Sequence, residues 1–111
     1  MNPREKLKIR LMQERMGFCD GEPIVKHACG GGLEMHEAIY KRNDAVTDEQ
    51  KAYLVHEVNC HILCSKIHQS HGTIRWFNRK LEERQRERYG NEAVDAYIRG
   101  WPGKIPGHCA R

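Results

Sequence analysis

The sequence predicts an α+β fold, a small and mainly helical domain that contains a single two-stranded antiparallel hairpin. Only two segments, 33–39 and 58–63, are short and rich in β-compatible residues. Several other segments carry helix caps and apolar residues at helical spacing. At 111 residues, the chain can bury one modest core. Because two strands are not stable alone, we expect the hairpin to pack on the helices.

The first segment, 3–16, predicts a helix. Leu7 and Leu11 form a sparse apolar stripe at helical spacing, and basic residues surround them. Pro3 suits the first turn of such a helix, and Gly17 suits its end.

Residues 17–32 predict a loop, and the three consecutive glycines at its end allow the chain to turn. Leu33 and Met35 then alternate with Glu34 and His36. This alternation predicts a strand whose two polar side chains lie on the face opposite the apolar ones.

Two helices and a second strand are predicted in the middle of the chain. Thr47 and Gln50 fit a capping box, which predicts a short helix at 48–55. The aliphatic run at 58–63 predicts the second strand. Helical sequence returns at 65–71.

The segment 73–89 carries the clearest helical pattern, because Ile74, Phe77 and Leu81 repeat on one face. After it, Asn91 is predicted to cap a last short helix. The other surface of the 73–89 helix is predicted to carry five arginines, Arg75, Arg79, Arg84, Arg86 and Arg88.

We expect a single domain over 1–111. Its core is predicted at about 29–72, followed by a basic helical extension at 73–100. The tail, 101–111, contains two prolines and two glycines and is predicted to be irregular.

Positive charge is concentrated in the C-terminal part of the chain. Residues 1–71 hold ten Lys or Arg and ten Asp or Glu, whereas residues 72–111 hold nine basic and five acidic residues. This asymmetry suits a polyanionic partner, although a solvated helix face would give the same pattern. No segment has the length and apolarity of a membrane span or a signal peptide, so we expect a soluble intracellular protein.

Four side chains in the central part of the sequence suggest a divalent-metal site. His36 is followed by the carboxylate of Glu37, and His68 and His71 lie further along on a predicted helix. A histidine beside a carboxylate, joined by helical histidines, is a ligand set that small metal sites use. Because His71 is three residues after His68, it is a candidate second ligand on the same helical face.

These residues, in this order, resemble the HNH endonucleases, the ββα-metal class, and in particular small stand-alone phage versions. The segment LEMHE resembles the first strand of that family, Asn59 its middle asparagine, and HILC followed by SKIH its helical block. His68 follows Asn59 by nine positions, the separation that the family uses. A basic helix that ends in RYGNEAV is also a common sequel, so the resemblance covers roughly 29–100.

The resemblance implies a role for each matching position. His36 and His68 would be metal ligands, and Asn59 would tie the loop between the strands together. Glu37 stands where the family usually has a histidine as general base. Two assignments stay open: Glu37 is the base, or His36 is the base while Glu34 or Glu37 holds the metal.

A separate structural zinc is implied less directly. Members of the family often hold one between two Cys-x-x-Cys pairs, but here Ile67 occupies the position three residues after Cys64. A zinc ion could be bound by Cys19, Cys29 and Cys64 with His27 or Cys109 as the fourth ligand. Ordinary buried or free thiols are the alternative, because an odd number of cysteines does not indicate a disulfide framework.

The other histidines and the tryptophans are predicted to have structural roles. We expect His27, His56 and His108 to be surface or loop residues, His61 to be a satisfied structural histidine, and Trp76 and Trp101 to be packing residues.

Taken together, the resemblance implies a metal-dependent DNA endonuclease or nickase of phage origin, acting in the host cytoplasm. Its cofactor would be Mg²⁺, Mn²⁺, Ni²⁺ or Zn²⁺, its partner DNA, and the five arginines would contact the phosphate backbone. Two alternatives stay open: a degenerate HNH-like module that binds DNA without cutting it, and a small zinc-stabilised protein-interaction domain.

Overall fold

The helices and strands follow one another along the chain in the order that the sequence predicts. The computed structural model describes residues 1–109. The helices are α1 (Pro3–Glu14), α2 (Asp48–Leu54), α3 (Ser65–His71), α4 (Arg75–Tyr89) and α5 (Asn91–Arg99), and the strands are β1 (Leu33–Glu37) and β2 (Cys60–Cys64). Short 3₁₀ turns lie at Arg42–Asp44 and Gly107–Cys109. The α+β class with one antiparallel hairpin is therefore confirmed.

The hairpin is covered on both faces. In its register, Leu33 lies opposite Cys64 and His36 lies opposite His61. Since side chains alternate along a strand, every second residue of each strand shares a face. One face packs on α1 through an apolar cluster that comprises Leu7, Leu11, Met35, Cys60 and Ile62. The other face meets α3 and α4 through Leu63, Ile67, Phe77 and Leu81.

A third apolar cluster closes the C-terminal side. Tyr40 is fully buried there and stacks on Trp101, with ring centroids 4.2 Å apart. Trp101 and Cys109 are both buried in this cluster. The tail predicted to be irregular therefore packs against the core as far as residue 109, because its aromatic and thiol side chains fill the space beside Tyr40.

Several boundaries differ from the prediction for local reasons. The second strand begins at Cys60 rather than at residue 58, because the amides of Asn59 and Cys60 both donate to the carbonyl of His56 in a turn. The last helix is capped by Gly90, and Asn91 is its first helical residue. Gly90 adopts a φ of +93°, which glycine tolerates best.

Among residues 1–109, no helix is long and apolar enough to cross a membrane.

Candidate functional site

The first candidate site lies where the hairpin meets α3 and α4. Glu34 and His36 project from the same face of β1, and His68 projects from α3. The imidazole rings of His36 and His68 meet edge to face, with centroids 4.9 Å apart. Sequence reasoning selected both histidines, and the fold brings them together.

In each of these two histidines, one ring nitrogen contacts a side-chain oxygen that accepts a hydrogen bond. Nδ1 of His68 lies 2.7 Å from a carboxylate oxygen of Glu34. Nε2 of His36 lies 2.6 Å from Oδ1 of Asn78, on α4. A carboxylate only accepts hydrogen bonds, so His68 donates from Nδ1, and Nε2 is the ring nitrogen left for another partner.

The amide of Asn78 fixes the tautomer of His36 in the same way. Its nitrogen donates to the carbonyls of Gly72 at 3.0 Å and Ile74 at 3.1 Å, so its oxygen must be the atom that faces His36. His36 therefore donates from Nε2 and keeps a lone pair on Nδ1. Sequence reasoning missed Asn78, because it lies ten residues beyond His68 on a helix predicted to serve only as a basic surface.

The two histidines differ in burial and therefore in their electrostatic environment. His36 is only 6 % exposed, and burial lowers its pKa to about 4, so its ring is neutral at pH 7. His68 and Glu34 are partly open to solvent, and the hydrogen bond from His68 lowers the pKa of Glu34. The pair thus has a neutral, buried member and a member that a substrate can reach.

Glu37 does not share this face, which corrects the expected geometry of the His36–Glu37 pair. As a neighbour of His36 in β1, it points toward α1, where it forms an ion pair with Arg4. Arg42 approaches the same carboxylate at 4.0 Å. The structure therefore places Glu37 away from His68, as the alternation of side chains along a strand requires for the residue after His36.

Asn59 is fully buried and ties the loop after β1 to the rest of the fold. Its oxygen accepts from the amides of Ile39 and Tyr40 at 2.9 and 2.8 Å. Its nitrogen donates to the carbonyls of Tyr40 and Leu54. Asn59 has the loop-tying position that the resemblance implies, and its contacts are with backbone groups.

His71 is not brought to His36 and His68. Its ring bonds to the hydroxyl of Ser70 and packs against Trp76 and Phe77. Within residues 1–109, these three histidines do not form a group whose ligand atoms all lie within 4.8 Å of one another. His71, the candidate second ligand on the helix, therefore lies away from the His36–His68 pair. Trp76 packs beside His71, with about half of its surface exposed.

The second candidate site is a cluster of four metal-ligand side chains beside the start of α3. It comprises Cys19, His27, Cys29 and Cys64, whose ligand atoms all lie within 4.8 Å of one another. Nε2 of His27 lies 3.3 Å from the sulfurs of Cys29 and Cys64 and 3.8 Å from that of Cys19. This group could bind a metal ion such as zinc.

The distances suit a tetrahedral zinc ion. Bonds of about 2.3 Å to sulfur and about 2.0 Å to nitrogen require sulfur–nitrogen separations of about 3.5 Å. Nδ1 of His27 bonds to the carbonyl of Val25 and so leaves Nε2 for the ion. His27 was expected to be a loop residue or a fourth ligand, and the structure supports the ligand position. Its spacing from Cys29, two residues, is the sequence signal for it.

Backbone hydrogen bonds favour the thiolate form of Cys64. Burial opposes ionisation, but amide donors at Ile67 and Gly30 lower the pKa of Cys64 to about 6. The glycine loop is fixed against α3, because the amides of Ser65 and Lys66 donate to the carbonyls of Gly32 and Gly30. A thiolate at the end of a strand is the form that binds metal. Cys60 and Cys109 lie outside this cluster.

The arginines of α4 separate into different environments. Arg75 and Arg79 line a cavity of about 200 Å³ that also contains Asn78 and Lys41. Arg86 is instead paired with Glu82 and Asp95. Arg84 and Arg88 line a second cavity, on the side of α1, where Arg88 approaches Asp20 at 3.6 Å. The five arginines do not form one surface, which corrects the predicted arrangement.

The chain was also compared with family models, with curated proteins and with solved structures. No family model, no curated protein and no solved structure matches it.

Proposed function

We propose that this protein is a metal-dependent endonuclease or nickase that hydrolyses DNA phosphodiester bonds at the His36–His68 site. The observation that carries the proposal is the pairing of these two histidines across β1 and α3, each with one bare ring nitrogen. Two such nitrogens on a strand–strand–helix unit support the proposal, because the HNH resemblance implies metal ligands at these two positions.

The donor set fits a divalent ion of the first transition row. Two imidazoles beside a carboxylate favour Mn²⁺, Ni²⁺ or Zn²⁺, and Mg²⁺ would use more water ligands. His36 and His68 would hold the ion, and Glu34 would orient His68 through its Nδ1 proton. A bound ion would neutralise the charge that develops on the scissile phosphate and would lower the pKa of a bound water.

The residues around the site have separate tasks. His36 stays neutral at pH 7 because of its burial, so its lone pair is available without a competing proton. Lys41, Arg75 and Arg79 surround the neighbouring cavity and would hold phosphates of the DNA backbone. Because Asn78 lines this cavity and also contacts His36, the phosphate contacts lie directly beside the reacting centre.

The cluster of Cys19, His27, Cys29 and Cys64 would have a structural role in this arrangement. Cys64 ends β2 and caps α3, the helix that carries His68. An ion held by Cys19, His27, Cys29 and Cys64 would fix the start of α3 and therefore the position of His68. A closed set of four protein ligands is typical of structural zinc.

A plasmid-nicking assay with added Mg²⁺ or Mn²⁺ tests the proposal. We expect the wild-type protein to nick, His68→Ala to be inactive, and His71→Ala to stay active because its ring lies away from His36. Circular dichroism of both variants checks that the fold is kept. If wild-type protein does not nick with Mg²⁺ or Mn²⁺, or with Ni²⁺ or Zn²⁺ added in their place, the proposal is wrong. It is also wrong if His68→Ala nicks normally.

One observation favours a second candidate, an HNH-like module that binds DNA without cutting it. In the described part of the chain, no third ligand completes a group with His36 and His68 within 4.8 Å. Salt-dependent DNA binding in a mobility-shift experiment, without nicking under any metal condition, would support that candidate over the nuclease.

A further inference from the structure

A second cluster of metal-ligand side chains shares no residue with the cluster of Cys19, His27, Cys29 and Cys64 and belongs to different elements. Asp44 ends the 3₁₀ turn after β1, and His108 and Cys109 lie in the last 3₁₀ turn. Their ligand atoms all lie within 4.8 Å of one another. Neither turn is part of the ββα unit, although His108 also lines the cavity that contains Asn78 and Arg79.

The ligand atoms of this cluster lie within about 0.5 Å of the spacing that one ion requires. Nε2 of His108 lies 2.8 Å from one carboxylate oxygen of Asp44 and 3.9 Å from the sulfur of Cys109. Nδ1 of His108 lies 3.3 Å from the sulfur of Cys109, nearer than Nε2, so the ring would have to turn to present Nε2 to an ion. Tetrahedral zinc, with bonds of about 2.0 Å to nitrogen and oxygen and about 2.3 Å to sulfur, needs separations of about 3.3 to 3.5 Å. Small shifts of exposed His108 would bring both distances to these values.

The cluster is also held in place by the backbone. The amide of Lys41 donates to the carboxylate of Asp44 at 2.8 Å. The thiol of Cys109 is buried and donates to the carbonyl of Ile39 at 3.1 Å. A thiol, an imidazole and a carboxylate could also form a nucleophilic triad, but Cys109 is only 1 % exposed, and a substrate could not reach its sulfur.

We propose that Asp44, His108 and Cys109 form a second metal site, one that takes a single Zn²⁺ or a similar soft divalent ion and pins the C-terminal turn to the turn after β1. Binding replaces the S–H proton of Cys109, which passes to solvent, with a metal–sulfur bond. Three protein donors leave the fourth position to water. The ion would join residues 64 positions apart and stabilise the packing of the tail beside Tyr40.

Nearby cations set the charge that this site must have. The ammonium group of Lys41 interacts with both Asp44 and Cys109, and Arg79 donates to the carbonyl of His108. Two anionic ligands, the carboxylate and the thiolate, are therefore needed to offset them. Replacing Lys41 with Met should consequently tighten metal binding at this site.

¹¹³Cd NMR of the full-length protein tests the proposal, because the cadmium shift depends on how many thiolates bind the ion. We expect two thiolate-bound signals, one from the cluster with three cysteines and one from a site with a single cysteine. Asp44→Asn and His108→Ala should each remove only the single-cysteine signal. His108 is exposed, so its replacement should not unfold the chain, and circular dichroism checks this.

Two results would overturn this second site. One is a spectrum with only the three-cysteine signal at excess Cd²⁺, and the other is a single-cysteine signal that persists in both variants. An ion at His36 and His68 has no thiolate and would give a separate signal. The outcome is therefore independent of whether the protein is a nuclease.

Discussion

His36 on β1 and Asn78 on α4 are joined by a hydrogen bond of 2.6 Å, 42 residues apart in sequence, which fixes the proton of His36 on Nε2. The backbone carbonyls of Gly72 and Ile74 hold the amide of Asn78 in the orientation that this bond needs. The basic helix therefore contributes directly to the candidate site as well as to its surroundings.

Asn78→Ala should release His36 from this tautomer. We expect single-turnover cleavage to fall by about 10- to 100-fold, as for other residues that orient metal ligands. Long-range ¹H–¹⁵N NMR should show His36 shifting from the Nε2–H form toward a tautomer mixture. Asn91→Ala, at the start of the next helix, is the control and should change neither the cleavage rate nor the NMR spectrum of His36. An unchanged His36 spectrum would show that Asn78 has only a packing role.

The two buried histidines of the hairpin should make the protein sensitive to acid. Burial lowers the pKa of His36 to about 4 and that of His61 well below its usual value. In the unfolded chain both would titrate near 6.5, so the unfolded state binds more protons below that pH. The contribution of these two histidines to the free energy of unfolding should therefore be constant above about pH 6.5 and should decrease as the pH falls toward 4.

His61→Leu tests the part of this effect that comes from His61. Neither ring nitrogen of His61 has a hydrogen-bond partner among residues 1–109, and Asp20 is 3.8 Å away. Replacing the ring with an apolar side chain removes a buried polar group, so stability at pH 7 should change little. The variant should lose less stability than wild type in urea titrations between pH 6.5 and 5. Equal losses in the two proteins would contradict the assignment.

If the cluster of Cys19, His27, Cys29 and Cys64 binds zinc as proposed, replacing one of these ligands should weaken zinc binding and destabilise the protein. Cys29 is exposed, so Cys29→Ser alters the cluster without creating a cavity. We expect native mass spectrometry to show weaker zinc retention and calorimetry to show a lower Tm. Cys60→Ser, in the α1-facing core, should lower Tm while retaining the same zinc. Equal zinc retention in the wild type and both variants would mean that the four side chains do not bind the ion.

Substitutions of the two glutamates of β1 test which face of the strand carries the catalytic residues. Glu37→Gln should break the ion pair with Arg4, cost about 1 kcal/mol of stability, and leave cleavage within a few-fold of wild type. Glu34→Gln should keep stability, because its side chain is partly exposed, but should weaken Mn²⁺ binding measured by calorimetry. If Glu37→Gln retains metal affinity but loses turnover by about 10²-fold or more, Glu37 is the general base despite its position.

The sequence predicted the elements well because their signals are local. Apolar spacing and the capping box identified α2, α3 and the hairpin to within a few residues, and the order of His36, Asn59 and His68 identified one candidate site. The partners of those residues could not be predicted in the same way. Asn78 and Arg4 reach β1 from distant helices, and only tertiary packing determines that Glu37 faces one of them while His36 faces the other.

The arginines of α4 provide the last prediction, because the structure separates them by environment. Arg79 lines the cavity beside Asn78, whereas Arg86 is paired with Glu82 on α4 and with Asp95 on α5. Arg79→Gln should weaken binding about equally on unrelated DNAs and reduce the slope of log K against log salt by about 1, since one phosphate contact is lost. Arg86→Gln removes the same charge from the same helix and should leave that slope nearly unchanged. Equal reductions in both variants would show that DNA affinity depends on the overall charge of α4 rather than on a specific phosphate contact beside His36.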